Sequence, residues 1–247
     1  MPDTRIPTVL ITGAKSGIGL EFGRQFAERG WDVIATHHSA EAPELVVEAM
    51  EKFPSIRYVQ IDVSDPAAIR AAASALSDQP VDVLINNAGI CYDGSSTGVE
   101  KSKFGQCDPE QFHRVYAVNV LGPVLMAEAF ADHLRRGQHK KIVSVSSTNG
   151  SLTAVLPGTS IYYKSSKAAL NRAMISVSEA LRADGIAVIL IHPGAVSTEK
   201  NMTMGSGTYP GMIETPYSVK GMMEVIDRLT VENTGKFYNY DCGFAPW

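Results

Sequence analysis

The stretch Thr8-Val9-Leu10-Ile11-Thr12-Gly13-Ala14-Lys15-Ser16-Gly17-Ile18-Gly19 decides the fold. Its first five residues are a short apolar run that stops at a glycine cluster, the pattern of a buried strand. A helix follows, from about Ile18 to Arg29, with Gly30 as its stop. Glycines between a strand and a helix let the backbone turn tightly and approach a pyrophosphate. The helix start then offers free N–H groups and the positive end of its dipole. The spacing is G-x-x-x-G-x-G, not the G-x-G-x-x-G of the common dinucleotide fingerprint. Gly13, Lys15, Ser16, Gly17, Ile18 and Gly19 are the candidate phosphate cradle.

The alternation continues along the chain. Strands are expected at Asp32–Thr36, Ile56–Ile61, Val81–Asn86, Lys141–Ser146, Ile186–Ile191 and Lys236–Tyr240. Helices are expected from about Pro66, from Pro109 as one long helix, around Tyr163, and from Pro216. Strands alternating with helices predict an α/β fold: a doubly wound, Rossmann-like, mostly parallel sheet of about seven strands with helices on both faces. A chain of 247 residues suits one domain spanning 1–247.

Composition narrows the function. Hydrophobic content of 45% with 19% charged residues describes a globular protein, and a net charge of −4 gives no electrostatic reason to bind nucleic acid or a membrane surface. No apolar run approaches the ~20 residues of a membrane helix. Cys91, Cys107 and Cys242 are odd in number and scattered, so free thiols in a cytoplasmic protein are expected. No His, Asp or Glu cluster has metal-ligand spacing, and no metal is expected.

About 20 residues past the glycine turn, NAD-binding folds place an acid on the adenosine ribose. Here the chain reads Thr36-His37-His38-Ser39. A hydroxyl and imidazoles, His38 among them, with help from Lys15, suit a 2′-phosphate. NADP(H) is therefore favoured, with NAD(H) possible because no arginine is present there.

Tyr163-Lys164-Ser165-Ser166-Lys167 puts a phenol and an ammonium on one helix face, continued by Leu170, Met174, Val177 and Leu181. Alone, this reads as an ordinary helix with a snorkelling lysine. Its context says otherwise. Asn86-Asn87-Ala88-Gly89 follows the fourth strand, Asn119 lies in Val118-Asn119-Val120, Ser146-Ser147 ends the fifth strand, and Pro193 to Thr198 follows the sixth. With the glycine turn and Tyr163-x-x-x-Lys167, these six signals in order make the chain resemble the short-chain dehydrogenases/reductases over nearly its whole length. Its ending, Gly235 to Trp247, is similar to the C-signal and sniffer-type carbonyl reductases.

The resemblance implies an oxidoreductase that interconverts an aldehyde or ketone and an alcohol by hydride transfer, acting on a small molecule as a homodimer or homotetramer. It implies Tyr163 as general acid/base, Lys167 as its electrostatic partner and ribose ligand, Ser147 as the donor to the substrate oxygen, and Asn119 in a proton relay. It also implies Asp62 and Val63 at the adenine, Asn87 at the adenosine, and Val196 and Thr198 at the nicotinamide carboxamide and a phosphate.

Pro123 has no N–H and so takes away the helical partner of the Asn119 carbonyl; a kink is expected, with the carbonyl available to a water. From Ser147 to Tyr163 is 16 residues, a longer loop than many family members have. This keeps Ser146 and Ser151 as alternatives to Ser147. Tyr162, with Ser166 four residues on, is either core or pocket lining. His192 reads as a buried histidine. Cys91 to Asp108 reads largely as a surface loop, and Glu199 to Thr215, rich in methionine and glycine, as a substrate lid. Two rivals stand beside the reductase: another enzyme class on this fold, and a nucleotide-binding sensor or signalling protein.

Overall fold

The computed structural model describes residues 5–91, 100–154, 160–197 and 211–247. β1 (Thr8–Thr12) runs through the glycine turn into α1 (Gly17–Glu28). β2 (Asp32–His37), α2 (Glu44–Lys52), β3 (Ile56–Gln60), α3 (Pro66–Ala75) and β4 (Val83–Asn86) follow. Next come α4 (Pro109–Tyr116), a π-helical turn (Ala117–Leu121), α5 (Gly122–Ala129), α6 (Ala131–Arg136) and β5 (Lys141–Val145). α7 (Ile161–Leu181), β6 (Ala187–His192), short β7 (Val196–Ser197) and β8 (Ile213–Glu214), α8 (Thr215–Asp227) and β9 (Phe237–Asn239) complete the described elements.

Among the described residues, seven strands form one sheet in the order β3-β2-β1-β4-β5-β6-β9, with every neighbouring pair parallel. The strict alternation of side chains divides its apolar residues between two cores. Val9, Ile11, Val33, Val83, Ile85, Val143 and Ile189 pack with Phe22 and Phe26 of α1 and Met222 and Met223 of α8. Leu10, Ile34, Leu84, Ile142, Val188 and Leu190 point the other way, onto Ile69 of α3, Met126 of α5 and Leu170 and Met174 of α7. Both faces are thus covered, which is why the strands read as unbroken apolar runs.

Two expectations are corrected. α2 lies where the sequence suggested no element; it is a short helix that buries only Val46 and Ala49 among lysine and glutamate, too narrow a stripe to announce itself. The long helix expected from Pro109 is divided. Instead of a simple kink, the chain makes a π-helical turn in which the Gly122 N–H reaches back five residues to the Ala117 carbonyl. Pro123 removes one donor, and the helix widens by one residue to keep its neighbours bonded. Gly122 has to be glycine-sized: a Cβ there would lie 2.7 Å from the Val63 carbonyl oxygen.

The amino edge of the sheet is fastened by one buried carboxylate. Asp82 accepts two hydrogen bonds from Arg5 (2.8 and 3.1 Å), one from the Thr8 N–H (2.7 Å) and one from the Gln138 N–H (2.5 Å). Burial alone pushes this carboxyl up, but the Arg5 and backbone donors outweigh it and the net shift is downward. At the other edge, β6 ends in His192, whose imidazole burial lowers to about 4, with Asp241 opposing.

Replacing Asp82 by alanine strands buried donors, and a loss of about 3 kcal/mol in unfolding free energy is expected, read as a lower denaturant midpoint. His192 gives a pH dependence. Its folded pKa, about 4, lies below the 6.5 of an unperturbed ring, so the unfolded chain binds more protons between those values. Its stabilisation is full above about 6.5 and is lost as the pH falls toward 4, on the order of 3 kcal/mol. His37, also lowered to about 4, adds in the same direction. His192→Gln is expected to flatten the fall of the denaturant midpoint across this window; a slope equal to that of the wild type would place the acid sensitivity elsewhere.

Candidate active site

The strand order reverses between β1 and β4, which opens a crevice beyond their carboxyl ends. The glycine turn occupies it. Thr12 Oγ1 accepts from the N–H groups of Asn87 (3.0 Å) and Ala88 (3.1 Å), and the Asn87 amide donates to the Thr12 and Gly13 carbonyls (3.0 and 3.1 Å). Asn87 therefore braces the turn from across the crevice. Gly13 takes φ +66°, and a Cβ on it would lie 2.7 Å from Ala88 Cα; a Cβ on Gly19 would lie 2.5 Å from Asn87 Nδ2. Ser16 precedes α1 in extended conformation without capping it through its side chain. The first-turn N–H groups of α1 thus face the crevice with no serine oxygen set against them, the arrangement that receives an anion.

At the end of β2, His37 Nδ1 pairs with Ser39 Oγ at 2.9 Å, and the His37 and His38 rings lie 4.0 Å apart. Tyr58 donates to the Ser39 carbonyl at 2.5 Å and Gln60 to the His38 carbonyl at 3.1 Å, which fixes the bend. Burial, then His38 and Lys15, lower the His37 ring, with Asp62 opposing. Lys15, the two imidazoles and Asp62 therefore share one electrostatic neighbourhood. Burial raises the Asp62 carboxyl, but two hydrogen bonds from Ser64, with His38 and Arg114, carry it below its usual range. Val63 is buried against the start of α5.

The residues singled out on α4 to α7 converge. Asn119, in the π-helical turn, accepts from the Ile90 N–H (2.8 Å) and donates to the Ile90 carbonyl (2.8 Å) and to Ser166 Oγ (3.0 Å). It ties the segment leaving β4 to α7. Lys167 is buried rather than snorkelling; its Nζ donates to the Val145 carbonyl at 2.9 Å and lies 5.8 Å from the centre of the Tyr163 ring. Ser147, just past β5, accepts from the Asn149 N–H at 3.1 Å, and its hydroxyl is near enough to the Tyr163 phenol to lower that group's pKa. The Tyr163 phenol sits well above its ordinary range. Burial is the main cause and Cys91 adds to it, while the Ser147 bond pulls the other way. Such a phenol is protonated at neutral pH. The arrangement can donate two hydroxyl hydrogen bonds to one oxygen, one of them from an acid.

Other candidates separate out. Ser146 is buried and donates to Asn171 Oδ1, and Ser151 donates to the main-chain oxygen of Trp247; neither hydroxyl is paired with Tyr163. Tyr162 is core: its ring meets Phe112 edge-on at 5.5 Å, and burial, then Cys107, raise its phenol to about 12. Val196 is buried in β7. Thr198 and most of the expected lid, residues 199–210, lie outside the described residues, as do 92–99 of the first loop and 155–159 of the loop before α7. Among the described residues no group of three His, Cys, Asp or Glu side chains could hold a metal ion, and no helix is long and apolar enough to cross a membrane. Thr12, Ser166 and Cys91 are not among the site residues expected from the sequence. A hydroxyl closing β1, and a small polar residue inside the Tyr163–Lys167 turn, were the available signals for the first two.

The chain as a whole has relatives. A family model described as short chain dehydrogenase matches residues 7–209. C-signal of Myxococcus xanthus is 37% identical over 179 residues, which cover 72% of this chain and 100% of its own. A solved structure of NADPH-bound carbonyl reductase from chicken fatty liver superposes with a TM-score of 0.86 at 29% identity, covering 98% of this chain and 100% of that one. Carbonyl reductase Sniffer of D. melanogaster gives a TM-score of 0.83 over the same shares at 24% identity, a likeness that speaks to the fold alone. The matched span, and the order of these residues along it, place the chain in the short-chain dehydrogenase family of oxidoreductases.

Proposed function

We propose that the protein is an NADP(H)-dependent carbonyl reductase. The observation that carries this reading is the convergence of the Ser147 hydroxyl, the Tyr163 phenol and the buried Lys167 side chain, whose Nζ lies 5.8 Å from the centre of the Tyr163 ring. A substrate carbonyl oxygen would accept from both hydroxyls, and this fixes its carbon for attack. The bound nicotinamide supplies the hydride. As negative charge grows on the substrate oxygen, the Tyr163 phenol delivers its proton there. Burial keeps the Tyr163 phenol protonated, the state from which it can give its proton in this step. Lys167 keeps a positive charge near the ring that becomes phenolate and holds the nicotinamide ribose. The Asn119 carbonyl, deprived by Pro123 of its usual helical donor, would hold a water that returns the proton.

For the cofactor, the Gly13–Gly19 turn with Lys15, Ser16, Gly17 and Ile18 would receive the pyrophosphate, Asp62 and Val63 the adenine, and Asn87 the adenosine. Lys15 and His38 would meet a 2′-phosphate, and Val196 and Thr198 the nicotinamide end. The chicken carbonyl reductase, which is NADPH-bound, supports NADP(H) over NAD(H). One domain over 1–247, assembled as a homodimer or homotetramer, is the organisation proposed on family resemblance.

Cofactor oxidation, followed against a panel of aldehydes, ketones and quinones, tests the reading. Wild-type turnover is expected to fall by about 10²–10⁴ in Tyr163→Phe. Saturable NADPH binding with no turnover on any carbonyl would point to a sensor or signalling protein instead. Lys15→Ala should weaken both cofactors through the pyrophosphate, and NADPH several-fold more than NADH, since only NADPH carries the 2′-phosphate. Pro123→Ala restores a donor to the Asn119 carbonyl and is expected to lower turnover with the fold intact; unchanged turnover in a folded variant would sink that part of the relay.

A further inference from the structure

The loop that leaves β5 carries Ser147 and has local bonds of its own, among them Gly150 N–H to the Ser147 carbonyl (2.9 Å) and Ala154 N–H to Ser151 Oγ (3.0 Å). Ser147 Oγ accepts from Asn149, which is a local bond, and Thr148 Oγ1 lies 3.4 Å from His192 Nε2. Two distant contacts fix the rest. On one side, the short turn Thr148–Gly150 lies directly on α7: a Cβ on Gly150 would be 2.6 Å from the Lys167 carbonyl carbon and 2.7 Å from the Ala168 nitrogen. On the other side, three donors from two loop residues converge on one oxygen. The main-chain oxygen of Trp247 accepts from the Thr153 N–H (2.8 Å), Ser151 Oγ (2.6 Å) and Thr153 Oγ1 (2.6 Å). Leu152 between them stays 88% exposed, so apolar burial does not hold this loop and the polar tether does.

Trp247 is itself well anchored. Its ring lies 5.6 Å from that of Phe237, a fully buried residue of β9. The Ala245 N–H donates to the Phe237 carbonyl (2.9 Å), the Asn239 N–H donates to the Gly243 carbonyl (2.8 Å), and the Tyr238 and Phe244 rings lie 5.0 Å apart. The segment 243–247 is therefore stitched to the edge strand of the sheet. A mechanical line runs from β9 through Trp247 to Ser151 and Thr153, and from there to Ser147.

We infer that the main-chain oxygen of Trp247 is the anchor of the serine loop, and that Ser151, Thr153 and Trp247 are positioning residues that hold Ser147 against Tyr163. The inference rests on the reading of Ser147 and Tyr163 as the pair that binds the substrate oxygen. With Gly150 stopped by the backbone of α7 and the tether holding the far end, the loop is restrained from both sides. A displacement of about 1 Å at a reacting group can cost up to about a hundredfold in rate, so a tether remote from the substrate can set turnover.

The test is steady-state carbonyl reduction by Ser151→Ala/Thr153→Val, which removes both hydroxyl donors at exposed or half-buried positions, and by Trp247→Ala, which loosens the anchor by another route. Thr153→Ser, which keeps a hydroxyl, is the conservative control. The double variant is expected to lose roughly tenfold in kcat, with NADPH affinity and denaturant midpoint close to wild type; Trp247→Ala should lose less, and Thr153→Ser should match wild type. The same double substitution made in Ser147→Ala should cost nothing further, because residues acting through one group are non-additive. If wild type turns over and the double variant equals it, or loses the same factor again in Ser147→Ala, the tether inference is overturned while the reductase reading stands. If wild type has no turnover beyond Tyr163→Phe, the reductase reading fails and the inference falls with it.

Discussion

The carboxyl ends of β1 and β4 pair with β2 and β5 on their outer sides, but the backbone groups that face each other across the crevice between them are no longer in strand register. Each such group in the crevice needs another partner. Thr12 Oγ1, the Asn87 amide and the Asn119 amide supply them, binding Asn87 and Ala88, Thr12 and Gly13, and Ile90 in turn. Asn119 continues to Ser166, and Ser166 donates to the Tyr163 carbonyl at 2.8 Å. One hydrogen-bonded series thus links the phosphate turn to the helix that carries the phenol and ammonium. The distance between the two halves of the site is set by this series.

The two edges of the sheet do different work. At the amino edge, buried charge serves the fold: Asp82 gathers Arg5 and backbone N–H groups, and Lys141 Nζ donates to the Ile226 carbonyl at the end of α8 (2.7 Å). Burial pulls Lys141 down, and Asp227 opposes it. A cation at a helix carboxyl end is a favourable use of a lysine that has to be desolvated. At the carboxyl edge, Lys167 makes a similar bond to Val145, but beside a phenol in a crevice. Buried lysines thus sit at both ends of the sheet, one against a helix end and the other beside a phenol.

Tyr162 and Tyr163 show how helical phase assigns roles. Adjacent residues on a helix point about 100° apart. Tyr162 turns to Phe112 and is core, whereas Tyr163 turns to Ser147 and Lys167. Burial raises both phenols. What distinguishes Tyr163 is the company it keeps, and that company comes from three separate elements.

The sequence by itself determined the strands of the sheet and their alternation with helices, while the structure supplied the strand order. Buried strands such as Val9–Ile11 and Val188–Ile191 are apolar throughout, and Asp65-Pro66 and Asp108-Pro109 mark helix starts whose aspartates do cap them. Local rules suffice for such features because strand burial and capping act over a few residues. The glycine turn Gly13–Gly19 and the proximity of Tyr163 to Lys167 were legible for the same reason. Only the tertiary structure decided which serine meets the phenol, since Ser146, Ser147 and Ser151 are chemically alike and differ in where β5 ends. It alone showed Pro123 accommodated by a π-helical turn, the bracing by Thr12 and Ser166, and the Trp247 tether. These depend on contacts between residues far apart in the chain, and no periodicity or local propensity records which backbone carbonyl a hydroxyl will find.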